Sequence, residues 1–309
     1  MDDLYYFFKK LNLMQRRSFI KSSSVALLGA GGIKASQFKE ANEKIRKTFT
    51  LSLNAYSFNK PLLAGEMSVA GLFQAAKKIG FPAVDLTAYY IPGYPEVPED
   101  EVLFDIKRSA FKLGLAISGT GVRNDFALSD PVELANSIEL VKKWVIAAST
   151  MGAPHVRVFA GRGSENGPSR DKVKTQMIDA FQECADFASR YGVMIAFQNH
   201  YDYIKTTSDV VEIMEGVNSE WFGLMLDIGS IPGPDPYADI ERLIPYAISW
   251  QVKEEVRSEN GKVPTDFIRL LKIVSDQHYT GYFPLETLGE GDPRQKVRKL
   301  YQDVSQLLI

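Results

Sequence analysis

Apolar runs typical of β-strands alternate with amphipathic helical segments throughout residues 48–309 of this chain. Several helical segments end in a glycine just before the next run, where a left-handed cap lets a helix stop and turn back. Eight runs have strand character: Phe49–Phe58, Ala83–Tyr89, Leu115–Gly121, His155–Ala160, Val193–His200, Phe222–Asp227, Ile248–Val252 and Tyr282–Leu288. Eight strand–helix units over about 260 residues match the count and length of a (β/α)8 barrel.

The alternative for such an alternating chain is an open, doubly wound sheet. That fold carries a glycine-rich phosphate-binding turn after its first strand, and the segment AYSFNKP at this point has no G-x-G-x-x-G pattern. We therefore predict an α/β protein whose residues 48–309 form a single-domain (β/α)8 TIM barrel without a nucleotide cofactor. Helix starts are predicted at three capping sites: Asp130-Pro131, Thr207-Ser208-Asp209 and Asp292-Pro293.

The overall composition narrows the function classes. A formal net charge of −2 gives no electrostatic case for binding nucleic acid, which favours a basic surface. The single cysteine, Cys184, excludes a disulfide within the chain, and its helical surroundings favour a buried apolar role. The hydrophobic fraction of 45% is typical of a globular protein with a large core.

Residues 1–47 do not continue the barrel pattern and are interpreted as a leader. A pair of arginines at positions 16 and 17 is followed by Phe, an aliphatic residue and Lys, which resembles the twin-arginine export signal. The apolar stretch over residues 25–33 is too short for a stable membrane span. These features predict export to the periplasm. If the signal is not used, the segment is an ordinary basic amphipathic N-terminus of a cytoplasmic protein.

Four strand-like runs in the second half of the chain end on polar residues, which are Gln198, Asp227, Gln251 and Glu286. Side chains alternate along a strand, and the carboxyl ends of barrel strands carry the site, so these four should converge at one mouth of the barrel. Lys253 shares the parity of Gln251 and is expected on the same face. The long polar connections also follow the strand ends, which supports this placement.

Segments around these residues resemble a known family. FQNH, GLMLDIGS, SWQVKEE and YFPLE are similar to strand ends of the xylose isomerase-like TIM barrels, which include sugar isomerases, epimerases and endonuclease IV-type enzymes. The resemblance covers residues 48–309. It implies a divalent metal at four positions, commonly Glu, Asp, His and Glu, which are here Gln198, Asp227, Gln251 and Glu286. It also implies substrate contacts from Arg123, Asn124, Arg157, Asn199 and His200.

The two glutamines change what the implied metal centre can hold. Amide and carboxylate oxygens suit hard cations, so Mn²⁺, Mg²⁺ or Ca²⁺ is the expected cofactor and zinc is disfavoured. The chain has three histidines; His155 begins a strand and His278 follows a helix, which excludes a histidine-rich tri-metal nuclease centre. In a metal-free alternative, Lys253 or Arg157 supplies the positive charge beside the two carboxylates.

The predicted function is a sugar isomerase or epimerase that moves a proton next to a carbonyl or hydroxyl group of a small sugar or polyol. Glu286 or Asp227 would move the proton, while His200, Arg157 and Lys253 would hold hydroxyl groups and stabilise enediolate charge. Two alternatives stay open: a non-catalytic carbohydrate-binding barrel, and a carbohydrate lyase or hydrolase that uses both carboxylates. The expected partner is a small carbohydrate, and the oligomeric state is left open.

Large aromatic residues have simpler interpretations. Tyr89, Tyr90 and Tyr94 follow the second strand and either stack on a sugar ring or belong to an ordinary surface loop. Trp144 lies in a helical pattern and is predicted to be in the core. Trp250 has outward parity on the seventh strand and is predicted to pack beneath the helices.

Overall fold

The computed structural model describes residues 45, 47–163, 169–200, 203–230 and 233–309. Lys44–Ile309 forms one compact unit. The predicted leader lies almost wholly outside the described residues, so the twin-arginine signal stays a prediction. Within the described part of the chain, no helix has both the length and the apolar character needed to cross a membrane.

Eight parallel strands close into a barrel, which confirms the predicted (β/α)8 fold. In chain order the strands are β1 (Thr50–Asn54), β2 (Ala83–Asp85), β3 (Ala116–Gly121), β4 (His155–Phe159), β5 (Met194–Gln198), β6 (Phe222–Asp227), β7 (Ala247–Lys253), β8 (Glu255–Ser258), β9 (Gly261–Pro264) and β10 (Tyr282–Glu286). Strands β8 and β9 form a separate antiparallel hairpin. Strand β10 pairs with both β7 and β1 and so completes the closure.

Helices follow the barrel strands, and most of them begin at a side-chain cap. They are α1 (Asn59–Leu63), α2 (Val69–Ile79), α3 (Asp100–Lys112), α4 (Pro131–Met151), α5 (Arg170–Ser189), α6 (Thr207–Gly216), α7 (Pro236–Leu243), α8 (Phe267–Asp276) and α9 (Pro293–Ser305). Asp130 and Asp292 cap α4 and α9 as predicted. The cap of α6 is Thr206 rather than Thr207, because Asp209 completes a capping box from three residues away.

The first two predicted strands are much shorter in the structure than in the sequence interpretation, and several others are shorter by one to three residues. Strand β1 ends at Asn54, whose side chain accepts a hydrogen bond from Tyr56 N and starts a 3₁₀ turn over Ala55–Phe58. Strand β2 ends at Asp85, and a second 3₁₀ turn follows at Ala88–Tyr90. These turns are largely buried and contain apolar residues. In the sequence they therefore look like a continuation of the strand, although their backbone is not extended. The polar β8–β9 hairpin was not predicted.

Side chains alternate along the barrel strands. Those that point outward are apolar and pack beneath the helices, whereas many of those that point into the barrel are polar. Trp250 is fully buried with its ring 5.1 Å from that of Phe283, which confirms its predicted outward orientation. Trp144 is buried as predicted and donates from Nε1 to a backbone carbonyl at 2.8 Å. Inside the barrel, Ser52 and Ser118 face each other with their Oγ atoms 2.6 Å apart. Buried polar groups ordinarily have partners, but Thr120 Oγ1 and Ser249 Oγ have none among the described residues.

Candidate functional site

The four strand-end residues lie together at the mouth of the barrel, as predicted. With Lys253 they form the strand-end cluster: Gln198, Asp227, Gln251, Lys253 and Glu286. Gln198 Nε2 donates to Asp227 Oδ2 at 2.8 Å and also to Gln251 Oε1. Lys253 Nζ lies 2.7 Å from Asp227 Oδ2 and 3.4 Å from Glu286 Oε2. The ammonium group is therefore held between the two carboxylates.

Asp227 accepts a full set of hydrogen bonds. Its Oδ2 accepts from Gln198, from Lys253, and from Ser230 Oγ at 2.7 Å. Its Oδ1 accepts from the backbone N–H of Gly229 at 2.9 Å. A carboxylate has about four lone-pair positions, so these four donors equal its total capacity, with three of them on Oδ2 and one on Oδ1. Burial alone would raise the pKa of Asp227, but the charge of Lys253 and these donors outweigh burial and hold the pKa below its usual range.

Glu286 behaves differently from Asp227, although both carboxylates contact Lys253. Burial raises the pKa of Glu286 more than Lys253 lowers it, and the charge of Asp227 adds to the rise. For Lys253, burial lowers the pKa, but the two carboxylates outweigh burial and favour the ammonium form. The cluster is thus asymmetric, because Asp227 stays ionised while Glu286 accepts a proton more readily.

Asp85, at the end of β2, is a third buried carboxyl group that the sequence prediction missed. It is 3% exposed, and its Oδ2 has no hydrogen-bond partner among the described residues. Burial raises the pKa of Asp85 to about 6; Arg157 acts against this rise and Glu286 adds to it. The signal was present as the polar end of the run AVD, but extending the predicted strand to Tyr89 obscured it.

Two arginines form a cationic, aromatic-lined side of the mouth. Arg157 donates through Nη1 to a backbone carbonyl at 2.7 Å and through Nη2 to the hydroxyl of Tyr89, and its guanidinium lies 4.0 Å from the Phe159 ring centroid. The exposed guanidinium of Arg123 lies 4.4 Å from the centroid of the Tyr89 ring. The His200 ring packs 5.2 Å from that of Phe159. The structure brings these predicted substrate-binding residues to one side, and their contacts with substrate stay a prediction.

The two predicted asparagines connect neighbouring strand ends. Asn124 Nδ2 donates to Phe159 O at 2.8 Å, and Phe159 N donates back to Asn124 Oδ1 at 2.7 Å. Asn199 makes the same pair of bonds with Asp227, at 2.9 Å and 2.7 Å. Both side chains are buried, and each satisfies the N–H and C=O of one residue on the next strand. Their direct role is to position the strand ends.

The mouth does not fit a divalent cation in this arrangement. A metal needs lone pairs aimed at a common point, but Gln198 directs its NH₂ group, and Lys253 its ammonium, toward the centre of the cluster. The orientation of the Gln198 amide follows from its partners. If its O and N atoms were exchanged, Gln198 Oε1 would face Asp227 Oδ2 and Gln251 Oε1, and three acceptors would meet without a donor. Among the described residues, no group of three or more His, Cys, Asp or Glu side chains is placed to hold a metal ion. The metal-ligand roles implied by the resemblance stay predictions.

A family model confirms the resemblance. The model described as "Xylose isomerase-like TIM barrel" matches residues 73–304, a span that includes the whole strand-end cluster. The chain belongs to this family. No curated protein sequence matches this xylose isomerase-like barrel significantly.

Solved structures share the barrel architecture. The chain is similar to 3-keto-D-glucoside 4-epimerase from E. coli, with 14% identity, a TM-score of 0.66 and coverage of 84% of this chain and 99% of that one. It is similar to D-psicose 3-epimerase from Clostridium cellulolyticum H10, with 15% identity, a TM-score of 0.64 and coverage of 84% and 92%. It is also similar to D-allulose 3-epimerase from Methylomonas sp., with 17% identity, a TM-score of 0.65 and coverage of 86% and 100%. At these identities, the likeness establishes the fold.

Proposed function

We propose that this xylose isomerase-like barrel is a sugar isomerase or epimerase that moves a proton on a carbon next to a carbonyl group. The observation that carries the proposal is Glu286, a buried carboxyl group with a raised pKa, 3.4 Å from the ammonium of Lys253. Such a reaction needs a base and a cation for the developing oxyanion in one site. The structurally similar epimerases of a keto-glucoside and of D-psicose support a small carbohydrate as the substrate.

In the proposed reaction, Glu286 removes a proton from the carbon beside the carbonyl group. The C–H electron pair becomes the C=C bond of an enediolate, and the carbonyl oxygen takes a negative charge that Lys253 stabilises. Return of a proton to the opposite face of the same carbon gives an epimer. Return of a proton to the former carbonyl carbon, with transfer of the neighbouring hydroxyl proton to the former carbonyl oxygen, gives an isomer.

Asp85 is suited to return the proton when the product is an epimer. Its carboxyl group is buried, interacts electrostatically with Glu286, and is partly protonated near its pKa of about 6. Asp227 is a poorer candidate for proton transfer because its oxygens are saturated by donors. The same saturation disfavours a hydrolase that would use Asp227 and Glu286 as an acid–base pair.

A carbohydrate-binding barrel without catalysis is the second candidate. The hydrogen bonding of Asp227 favours this candidate. An ion pair such as Lys253–Asp227, whose charges are satisfied within the protein, can have a purely structural role. The two candidates differ in one measurable property. A binding protein would hold a sugar without exchanging its carbon-bound protons with solvent.

Exchange of carbon-bound protons in D₂O tests the proposal. The full-length chain is incubated with a panel of ketoses, aldoses and 3-keto-glycosides, and deuterium at carbon is followed by NMR and mass spectrometry. We expect exchange in at least one sugar together with formation of its epimer or isomer. Sugar binding without exchange, seen as a saturable rise in melting temperature, would support the carbohydrate-binding barrel instead. Absence of both would contradict both candidates.

A matched pair of variants assigns the base. Glu286→Gln removes the proposed base with little change of shape and should lower the exchange rate by about 100-fold or more. Glu290→Gln removes an exposed carboxylate that pairs with Lys60 at 2.7 Å and should leave exchange unchanged. Retained exchange in Glu286→Gln would show that another group is the base.

Export of the chain is a separate part of the proposal, supported by the twin-arginine pattern in the leader. Residues 1–47 fused to a reporter that is active only in the periplasm should direct its export. Replacing Arg16 and Arg17 by lysine should abolish that signal. Reporter activity that does not depend on the arginine pair would contradict this route.

A further inference from the structure

We propose that the ammonium group of Lys253 takes the place of the divalent cation that the family resemblance implies, so that the strand-end cluster holds no metal. The Lys253 side chain is 14% exposed and lies between Asp227 and Glu286, whose side chains are 0% and 4% exposed. The inference concerns the resident cation of the cluster. It does not depend on the proposed activity.

Several oxygen atoms that a metal could use are already engaged by donors of the protein, whereas Gln198 Oε1 has no hydrogen-bond partner among the described residues. Asp227 accepts from four donors, since Gln198, Lys253 and Ser230 point at its Oδ2 and the backbone N–H of Gly229 points at its Oδ1. The Oε1 of Gln251 accepts from Gln198 Nε2. A cation would have to displace a buried ammonium and break several hydrogen bonds to reach these oxygens.

The two glutamines complement the lysine rather than weaken a metal cage. A carboxylate at position 198 would face Asp227 Oδ2, because Gln198 Nε2 lies 2.8 Å from that atom, and would require a strong cation between them. The amide of Gln198 converts this repulsion into a hydrogen bond. An imidazole at position 251 would add a nitrogen lone pair that could bind a metal. The ammonium group of Lys253 does not need this lone pair, because it already contacts Asp227 and Glu286. Because Gln198 and Gln251 are neutral, the cluster has only the two carboxylates of Asp227 and Glu286, and the ammonium group of Lys253 is the cation beside both of them.

Metal content and melting temperature of the full-length chain test this inference. The protein is stripped with a chelator, incubated with excess Mn²⁺, Mg²⁺ or Zn²⁺, desalted, and analysed for bound metal. We expect far less than one metal per chain, and the same melting temperature with each ion and with chelator. One retained metal per chain, or a saturable stabilisation by one ion that is lost in Glu286→Gln, would overturn the proposal.

A rebuilt site provides the second arm. The triple variant Gln198→Glu, Gln251→His and Lys253→Met should retain about one metal per chain and melt at a higher temperature with Mn²⁺, since it presents three carboxylates and an imidazole. The double variant that keeps Lys253 should bind Mn²⁺ more weakly, because the ammonium competes. Equal Mn²⁺ affinity in the double and triple variants would contradict the inference. If the triple variant does not fold, the wild-type measurements decide the question alone.

Lys142→Met serves as the matched control. Lys142 also bridges two carboxylates, Glu139 and Glu183, each at 2.7 Å, but on the helical surface. Its removal should produce no metal binding and no ion-dependent melting temperature. A metal response in Lys142→Met equal to that of the rebuilt site would show that the response is not specific to the strand-end cluster, and would overturn the assignment.

Discussion

Asn199 holds the backbone of Asp227 through two hydrogen bonds, from its Nδ2 to Asp227 O at 2.9 Å and from Asp227 N to its Oδ1 at 2.7 Å. The clamp fixes the end of β6 against β5, and thereby the direction from which the Asp227 carboxylate meets Lys253. Asn124 clamps Phe159 in the same way between β3 and β4. The two clamps have the same geometry. Asn199 holds Asp227, a residue of the strand-end cluster, whereas Asn124 holds Phe159, whose ring lies beside Arg157.

Asn199→Ala should therefore lower both stability and the proposed activity. It leaves the buried N–H and C=O groups of Asp227 unpaired, which should decrease the free energy of unfolding by about 2–3 kcal/mol. Displacement of Asp227 and Lys253 should lower the D₂O exchange rate by about tenfold or more. Urea unfolding and exchange kinetics measure the two effects. Asn124→Ala should lose similar stability with a smaller loss of exchange, and equal losses of exchange would contradict a special role for Asn199.

Lys253→Met should be strongly destabilising at neutral pH. It leaves two buried carboxylates without their cation, which should decrease the free energy of unfolding by about 3–5 kcal/mol. The loss should shrink as the pH falls from about 7 to about 5, because the folded variant binds protons on carboxyl groups whose pKa values then exceed those of the unfolded chain. Urea midpoints at both pH values measure this. Lys142→Met breaks two ion pairs with exposed carboxylates and should cost less, about 1 kcal/mol.

Asp85 should make the protein less stable as the pH rises toward neutrality. Its folded pKa of about 6 exceeds the ordinary aspartate value of 3.8, so the folded state binds more protons between these values and stability falls across that window as the pH rises. Asp85→Asn should flatten this part of the profile and raise stability at pH 7 by on the order of 2 kcal/mol. Urea midpoints from about pH 4 to about pH 7 provide the test. The exposed Asp179→Asn should leave the profile unchanged, whereas an unchanged profile in Asp85→Asn would contradict the raised pKa.

Gly119→Ala should destabilise the barrel from within. A Cβ atom at this position would collide with the buried ring of His155, which cannot move without disturbing the interior. Overpacking of this kind costs about 1–3 kcal/mol. His155→Ala in the same chain should recover part of the loss, and thermal unfolding measures both variants. Gly71→Ala is the control of opposite sign, because its Cβ would make ordinary contacts with Met67 at 3.4 Å and Ser68 Oγ at 3.5 Å, and a helix gains about 0.5–1 kcal/mol from the change.

Much of the fold could be predicted because its signals are local. Alternating strand and helix patterns specify a (β/α)8 barrel, and a polar residue that ends an apolar run marks the mouth. The predictions failed where a local pattern has two solutions. The 3₁₀ turns after β1 and β2 are apolar enough to imitate strand, which displaced the predicted end of β2 and hid Asp85. The β8–β9 hairpin is polar and carries no barrel periodicity.

The sequence by itself determined the fold class, the family, and the set of strand ends that meet. The tertiary structure alone decided how those side chains share protons and charge. Lys253 lies 26 residues from Asp227, and Gln198 lies 53 residues from Gln251, so no local pattern states which atom donates to which. Hydrogen-bond direction and desolvation depend on packed positions, and these make Asp227 a saturated anion, Glu286 a proton acceptor and Lys253 the cation between them.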